Sequence, residues 1–162
     1  MGKDVYYESY PSNILCSSIT LMVLSYAPGT LILYQVNGLL GAGYIILCLV
    51  SLILGIKFRC CFCYYYDKRC SSGLGQLAKL LFKEGNHDVF MDPKNLMPAA
   101  IFSFAVLLLP LIGVLLLLVT RFSWLVLILF FAYLLIAVIP GFVLRKNLFC
   151  KYCKQGEIGC PA

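Results

Sequence analysis

Acidic and imidazole groups are scarce in this sequence. Seven Asp and Glu and a single histidine, His87, occur in 162 residues, and none lies within 14–34, 39–56, 97–119 or 124–144. Apart from these, only Lys and Arg carry formal charge, and they avoid the same four runs. Ionisable groups inside a membrane span mark ion and proton routes, so their absence argues against a pump or an ion-coupled transporter. There is no His-Glu-x-x-His pair, no Ser-His-Asp arrangement and no glycine-rich phosphate loop, so the familiar hydrolytic and nucleotide-binding chemistries find no residues to work with. Without a basic cluster on a soluble fold, nucleic acid is not a partner this sequence suggests.

Apolar surface, by contrast, is abundant. The chain is 62% hydrophobic and 12% charged, with a mean hydropathy of +0.92. A soluble fold of this length cannot hide so much, and lipid must cover the excess. At ~1.5 Å per residue, each of the four uncharged runs can cross roughly 30 Å of hydrocarbon. Short polar turns at 35–38 (QVNG) and 120–123 (TRFS) join the runs into two hairpins. The expected fold is an all-α integral membrane protein with four transmembrane helices in a single domain, a cytoplasmic Cys-rich loop at 57–95 and a Cys-rich tail at 145–162. Pro28, Pro110 and the pair Pro140-Gly141 should bend their helices. Phe122 and Trp124 suit the headgroup boundary. Ser25-Tyr26-Ala27 loosely fits a signal-peptide cleavage site, but the apolar run is long and the span is expected to be retained.

Orientation follows from the cations. Twelve of the thirteen Lys and Arg lie in the N-terminal stretch, the central loop or the C-terminal tail, and Arg121 alone lies opposite. The positive-inside bias therefore places both termini and the loop in the cytoplasm. Seven of the nine cysteines fall on that side, where thiols stay reduced and metal or redox chemistry is more usual than structural disulfides. Cys16 and Cys48, within spans, read as small apolar side chains.

The cytoplasmic cysteines share a frame. Cys60, Cys63 and Cys70 read C-x2-C-x6-C, and so do Cys150, Cys153 and Cys160, each offset by 90 residues. A C-x2-C turn can aim two sulfurs at one ion ~2.3 Å away, with a distant pair completing the tetrahedron. The repeated frame suggests internal duplication, with the hairpins related by an approximate two-fold along the membrane normal, although the flanking residues do not align. Three ligand schemes fit. Cys60, Cys63, Cys150 and Cys153 could form one site, with Cys70 and Cys160 beside it. Each half could instead bind its own ion, borrowing Cys61 or His87. In the third scheme four thiolates hold an iron–sulfur cluster, for which the Cys160-Pro161 ending is a weak cue. Arg59, Lys68, Arg69, Lys151 and Lys154 flank these cysteines and are expected to lower thiol pKa values and favour the ligating form.

Residues 72–84 read as a short amphipathic helix, lying at the membrane surface or packed on neighbouring protein. Leu74, Leu77, Ala78 and Leu81 lie on one side and Gln76, Lys79 and Lys83 on the other, with Ser71 or Ser72 as cap and Gly85 as stop. Tyr64-Tyr65-Tyr66 reads as an interfacial anchor, and His87 as a solvent-exposed loop residue. The functional expectation is a small multi-pass membrane scaffold or accessory subunit. Its metal site is structural zinc, held by Cys60, Cys63, Cys70, Cys150, Cys153 and Cys160, and it docks a protein partner on the cytoplasmic face. An iron–sulfur electron carrier serving a membrane quinone is the alternative, and a membrane organiser palmitoylated at Cys60, Cys61 or Cys63 is a third. A homo-oligomer is compatible with each.

Overall fold

The structure is a computed structural model that describes residues 6–90, 92–120, 123–138 and 151–155. Its helices are α1 (Ser12–Val36), α2 (Gly38–Phe58), α3 (Leu74–Leu81), α4 (Pro93–Thr120) and α5 (Trp124–Tyr133), the last continuing into a π-helical turn, Leu134–Val138. Among the described residues there is no strand, only one isolated parallel bridge, Tyr7 to Cys153. Three helices, α1, α2 and α4, are long and apolar enough to cross a membrane. The chain thus has the make-up of a membrane protein. α5 is apolar but short, and the later part of the run expected at 124–144 lies outside the described residues.

The expected turn at 35–38 contracts to one residue. Asn37 adopts an extended backbone (φ −161°, ψ 135°), its side chain accepts from the Leu39 N–H at 2.9 Å, and α2 starts at once. Such a break separates the two helices while leaving few helix-end groups unpaired. α1 packs against α2, α4 and α5, and α2 packs against α4. One core patch joins Ile32, Val114, Leu117, Val126 and Tyr133, and another joins Leu33, Tyr44, Cys48 and Val106. Cys48 is thus a small core side chain, as expected. The outer faces keep Val23, Leu31, Ile46, Phe104, Leu115 and Ile128 largely uncovered. Helices apolar all round need lipid against their outer faces.

Pro110 explains one of the interhelical contacts. Proline has no N–H, so the carbonyl four residues earlier, on Val106, loses its helical donor. The Tyr44 hydroxyl supplies one from α2 at 2.9 Å. Gly29 lets the helices come this close, since a Cβ there would sit 2.8 Å from the Tyr44 hydroxyl and 3.0 Å from Pro110 Cγ. The Tyr133 hydroxyl donates to the next carbonyl, Leu107, at 3.0 Å.

α3 departs from expectation in extent and in its caps. It covers eight residues: Gly73, at φ 76°, precedes it without a side-chain cap, and extended Phe82 ends it, so neither Ser71, Ser72 nor Gly85 does the work expected of it. The residues it buries are Gly75 and Ala78, whereas Leu80 is 81% exposed and Leu81 53%. Close backbone approach governs this packing, and only small residues permit it.

Candidate functional site

The cysteine stretch leaves α2 beyond Lys57 and Arg59 as a series of tight turns. Cys60–Phe62 form a 3₁₀ turn, and the Cys63 N–H donates to the Cys60 carbonyl at 3.4 Å. Further turns close from Tyr66 to Cys63 (2.9 Å), from Lys68 to Tyr65 (3.1 Å) and from Gly73 to Cys70 (3.1 Å). Asp67 takes a left-handed conformation (φ 62°) in this series, and its carboxylate pairs with Lys79 of α3. Gly75, at the start of α3, donates its N–H to Cys70 Sγ at 3.3 Å, and the Ser72 hydroxyl lies 3.2 Å from the same sulfur. These two contacts fix the position of the Cys70 sulfur.

Two distant segments are stitched onto these turns. From the N-terminal side, Tyr7 donates its N–H to the Tyr152 carbonyl (3.2 Å) and Tyr10 to the Arg69 carbonyl (2.9 Å). From the C-terminal side, the Gln155 Oε1 accepts from the Tyr64 N–H at 2.7 Å. Tyr65 lies at the centre and is only 2% exposed. Its hydroxyl donates to the Tyr7 carbonyl at 2.6 Å and accepts from the Lys154 N–H at 3.0 Å, so one oxygen ties three parts of the chain together. Rings of Tyr152, Tyr7, Tyr10, Tyr65 and Tyr64 follow one another at centroid spacings of 5.3–5.5 Å. Tyr66 donates to the Phe82 carbonyl at 2.8 Å and fastens the end of α3. The tyrosine triplet therefore works as a set of fasteners within the protein. One signal pointed this way: seven of the eleven tyrosines lie outside the apolar runs, in the segments that carry the cysteines or in the N-terminal stretch.

Between these turns and the helices lies a cavity of about 510 Å³. Cys60, Cys63, Cys70 and Cys153 all line it. Members of both C-x2-C-x6-C frames thus meet at one place, while Cys150 and Cys160 lie outside the described residues. Cys61 does not join them. It is 3% exposed and packs with Ile56 and Ala78 on the opposite side of the turn, a location that also gives an acyltransferase little access. His87 is half-buried, not free in solvent: its Nδ1–H donates to the Phe62 carbonyl at 3.1 Å, and Nε2 faces Glu84 at 3.3 Å. Neither Cys61 nor His87 lines the cavity, so neither is placed to complete a ligand set there. Among the described residues, no three His, Cys, Asp or Glu side chains are gathered closely enough to hold a metal ion.

The electrostatics also differ from the expected pattern. Burial pushes the Cys60 thiol up to about 12, neighbouring Cys70, Cys63 and Cys61 add to this, and Arg59 offsets only part. Desolvation outweighs a cation at the surface. Two of the other flanking cations are engaged elsewhere. Lys68 Nζ and Lys154 Nζ lie 4.0 and 5.0 Å from the centroid of the Tyr64 ring, and Lys154 also reaches Glu8 at 3.4 Å. Hydrogen bonding to Lys154, and then to Lys68, pulls the Tyr64 hydroxyl below its ordinary range, and Tyr64 raises Lys154 in return.

The arrangement offers soft sulfur donors around a space walled mainly by apolar and hydroxyl side chains, with Arg59 and Gln155 beside them and no carboxylate among the described lining residues. No protein-family model matches this chain, and neither does any curated protein or solved structure.

Proposed function

We propose that this protein is a small multi-pass membrane scaffold or accessory subunit whose cysteine-bearing face binds one structural zinc ion and presents a docking surface to a protein partner. One observation carries the reading: four thiols from both halves of the chain line a single cavity. Thiolates suit zinc, and clamping distant segments is what a structural zinc site contributes. The ion must draw Cys60, Cys63, Cys70 and Cys153 inward from their present spacing and displace the proton that burial holds on Cys60. Zinc affinity should therefore rise with pH.

The contacts across the stitched face support four crossings. Tyr7 lies beside Tyr152, and Tyr10 lies beside Arg69, so the segments before α1, after α2 and after α5 share one side. Three crossings through α1, α2 and α4 would leave Ser123 on the other side. The return to Tyr152 then needs a fourth, beginning with α5. The excess of Lys and Arg supports a cytoplasmic position for the stitched face.

Elemental analysis of protein purified without oxygen tests the metal. Zinc near one per chain is expected, lost on either Cys63→Ser or Cys153→Ser, with little further loss in the double variant. Iron with inorganic sulfide would replace the zinc reading by an electron-carrier one. A folded, metal-free protein after purification with zinc present would end both.

A further inference from the structure

Beneath the thiols the cavity continues between the helices, and its inner wall has a chemistry of its own. Ser18 and Tyr26 of α1 and Ser51 of α2 bring hydroxyls to it, and Leu21, Leu52 and Ile136 bring apolar surface. Ser51 lies seven residues inside the Phe58 end of α2, about 10 Å along the axis.

Ser51 is the informative residue. A hydroxyl in a lipid-embedded helix is ordinarily satisfied by a carbonyl one turn earlier. Ser17, Ser25, Thr30, Ser103 and Thr120 all do this, at 2.7–3.0 Å. Among the described residues Ser51 makes no such bond, and neither do Ser18 and Thr20 of α1; of the three, Ser51 and Ser18 line the cavity, and Ser51 is the more enclosed at 7% exposed. Among the described residues no sealed-in side-chain oxygen lacks a partner, so the Ser51 oxygen opens onto the cavity, and whatever fills that space can accept its hydrogen.

We propose that this cavity binds a neutral amphiphile whose head carries hydrogen-bond-accepting carbonyl oxygens, either a lipid-soluble quinone or an uncharged diacylglycerol. Among the described residues no Asp or Glu lines the cavity, and Arg59 lies at its thiol end, so their deep part offers a charged head no counter-ion. A plain hydrocarbon would leave Ser51 unsatisfied. Carbonyl oxygens can accept from Ser51 on one wall and from Ser18 or Tyr26 on the other, while the leucines cover a ring or the start of a chain. The volume, about 510 Å³, falls within the ~300–1,000 Å³ usual for small-molecule sites. This site requires no metal.

Photoreactive analogues of a short-chain quinone and a short-chain diacylglycerol, crosslinked to the full chain in lipid nanodiscs, test the proposal. Crosslinks should map to the cavity-lining parts of α1 and α2, and the matching unlabelled compound should compete them away. Ser51→Ala should weaken that competition about three- to tenfold, and Ser51→Leu, which fills the space, should abolish it in protein of unchanged helical circular dichroism. Competition by the quinone alone or by the glyceride alone supports the site and names its source. Crosslinks scattered over lipid-facing helix surfaces without competition overturn it. Wild-type competition in Ser51→Leu does so as well. Should Ser51→Leu fail to fold, unchanged affinity in both Ser51→Ala and Ser18→Ala would have the same force. Repeating the assay on Cys63→Ser protein separates the two sites, because ligand binding should survive loss of the metal.

Discussion

Gly75→Ala should be among the most damaging single-methyl additions to this chain. A Cβ at Gly75 would stand 2.2 Å from the Tyr65 carbonyl oxygen and 2.6 Å from that of Lys68. Both are backbone atoms and cannot rotate aside, so α3 must back away from the cysteine turns. Overpacking of this kind costs about 1–3 kcal/mol and more where nothing yields. Two hydrogen bonds are strained with it, Gly75 N–H to Cys70 Sγ and Asp67 N–H to the Gly75 carbonyl (3.2 Å), at about 1 kcal/mol each. The expected loss is thus about 3–5 kcal/mol, a fall in midpoint on the order of 10 °C. Gly43→Ala is the matched control, since nothing lies within 4 Å of its added Cβ. In a helix interior that change should be neutral or stabilising by up to ~1 kcal/mol. Thermal unfolding in detergent micelles, followed by circular dichroism, compares the pair, and maleimide labelling should find buried Cys70 and Cys61 newly accessible in Gly75→Ala. Equal midpoints for the two variants, with both thiols still protected, would refute the reasoning about α3.

Three further outcomes are expected. Tyr44→Phe should leave the Val106 carbonyl without a donor opposite Pro110 and lower stability by about 1–3 kcal/mol in the same unfolding assay; a neutral result would mean another donor takes over. Tyr65→Phe removes both bonds made by its hydroxyl, for a loss of about 2–3 kcal/mol, and hydrogen exchange should quicken at the Lys154 amide before it does in α2. Tyr64 should show phenolate absorption at lower pH than the ordinary tyrosine value of 10.0, because two ammonium groups favour the ionised ring. Lys154→Gln and Lys68→Gln should each move that titration back upward, the first by more.

The long elements were legible because lipid imposes a simple rule, a charge-free run of sufficient length, and α1, α2 and α4 obey it with ends within a few residues of the expected ones. The repeated spacing pointed to cysteines of the two frames lying on one side, and Cys60, Cys63, Cys70 and Cys153 do line one cavity, although not closely enough to hold an ion. The helix α3 was legible, but its length and seating were not: Gly75 and Ala78 are buried because the helix backbone presses on the Tyr65 and Lys68 carbonyls, a contact no periodicity records. The Tyr65 junction was equally hidden, because its partners are backbone groups of Tyr7 and Lys154, and backbone groups carry no residue-specific signature. Cys60 escaped for an energetic reason: sequence shows a neighbouring arginine but not the desolvation that outweighs it.

Tyr64 and Gln155, which share a hydrogen bond, are separated by 91 positions, and Tyr65 and Lys154 by 89. Contacts spanning such loops close late. A ribosome delivers Cys60, Cys63 and Cys70 well before it delivers the segment 151–155 that packs beside them, so there is a window in biogenesis when these sulfurs lack that cover. Pulse labelling of arrested nascent chains should find them reactive before residue 155 emerges and slower afterwards. Loading of any ion or small molecule would then be a matter of timing as much as of affinity, with the unfinished polypeptide as the receptive form.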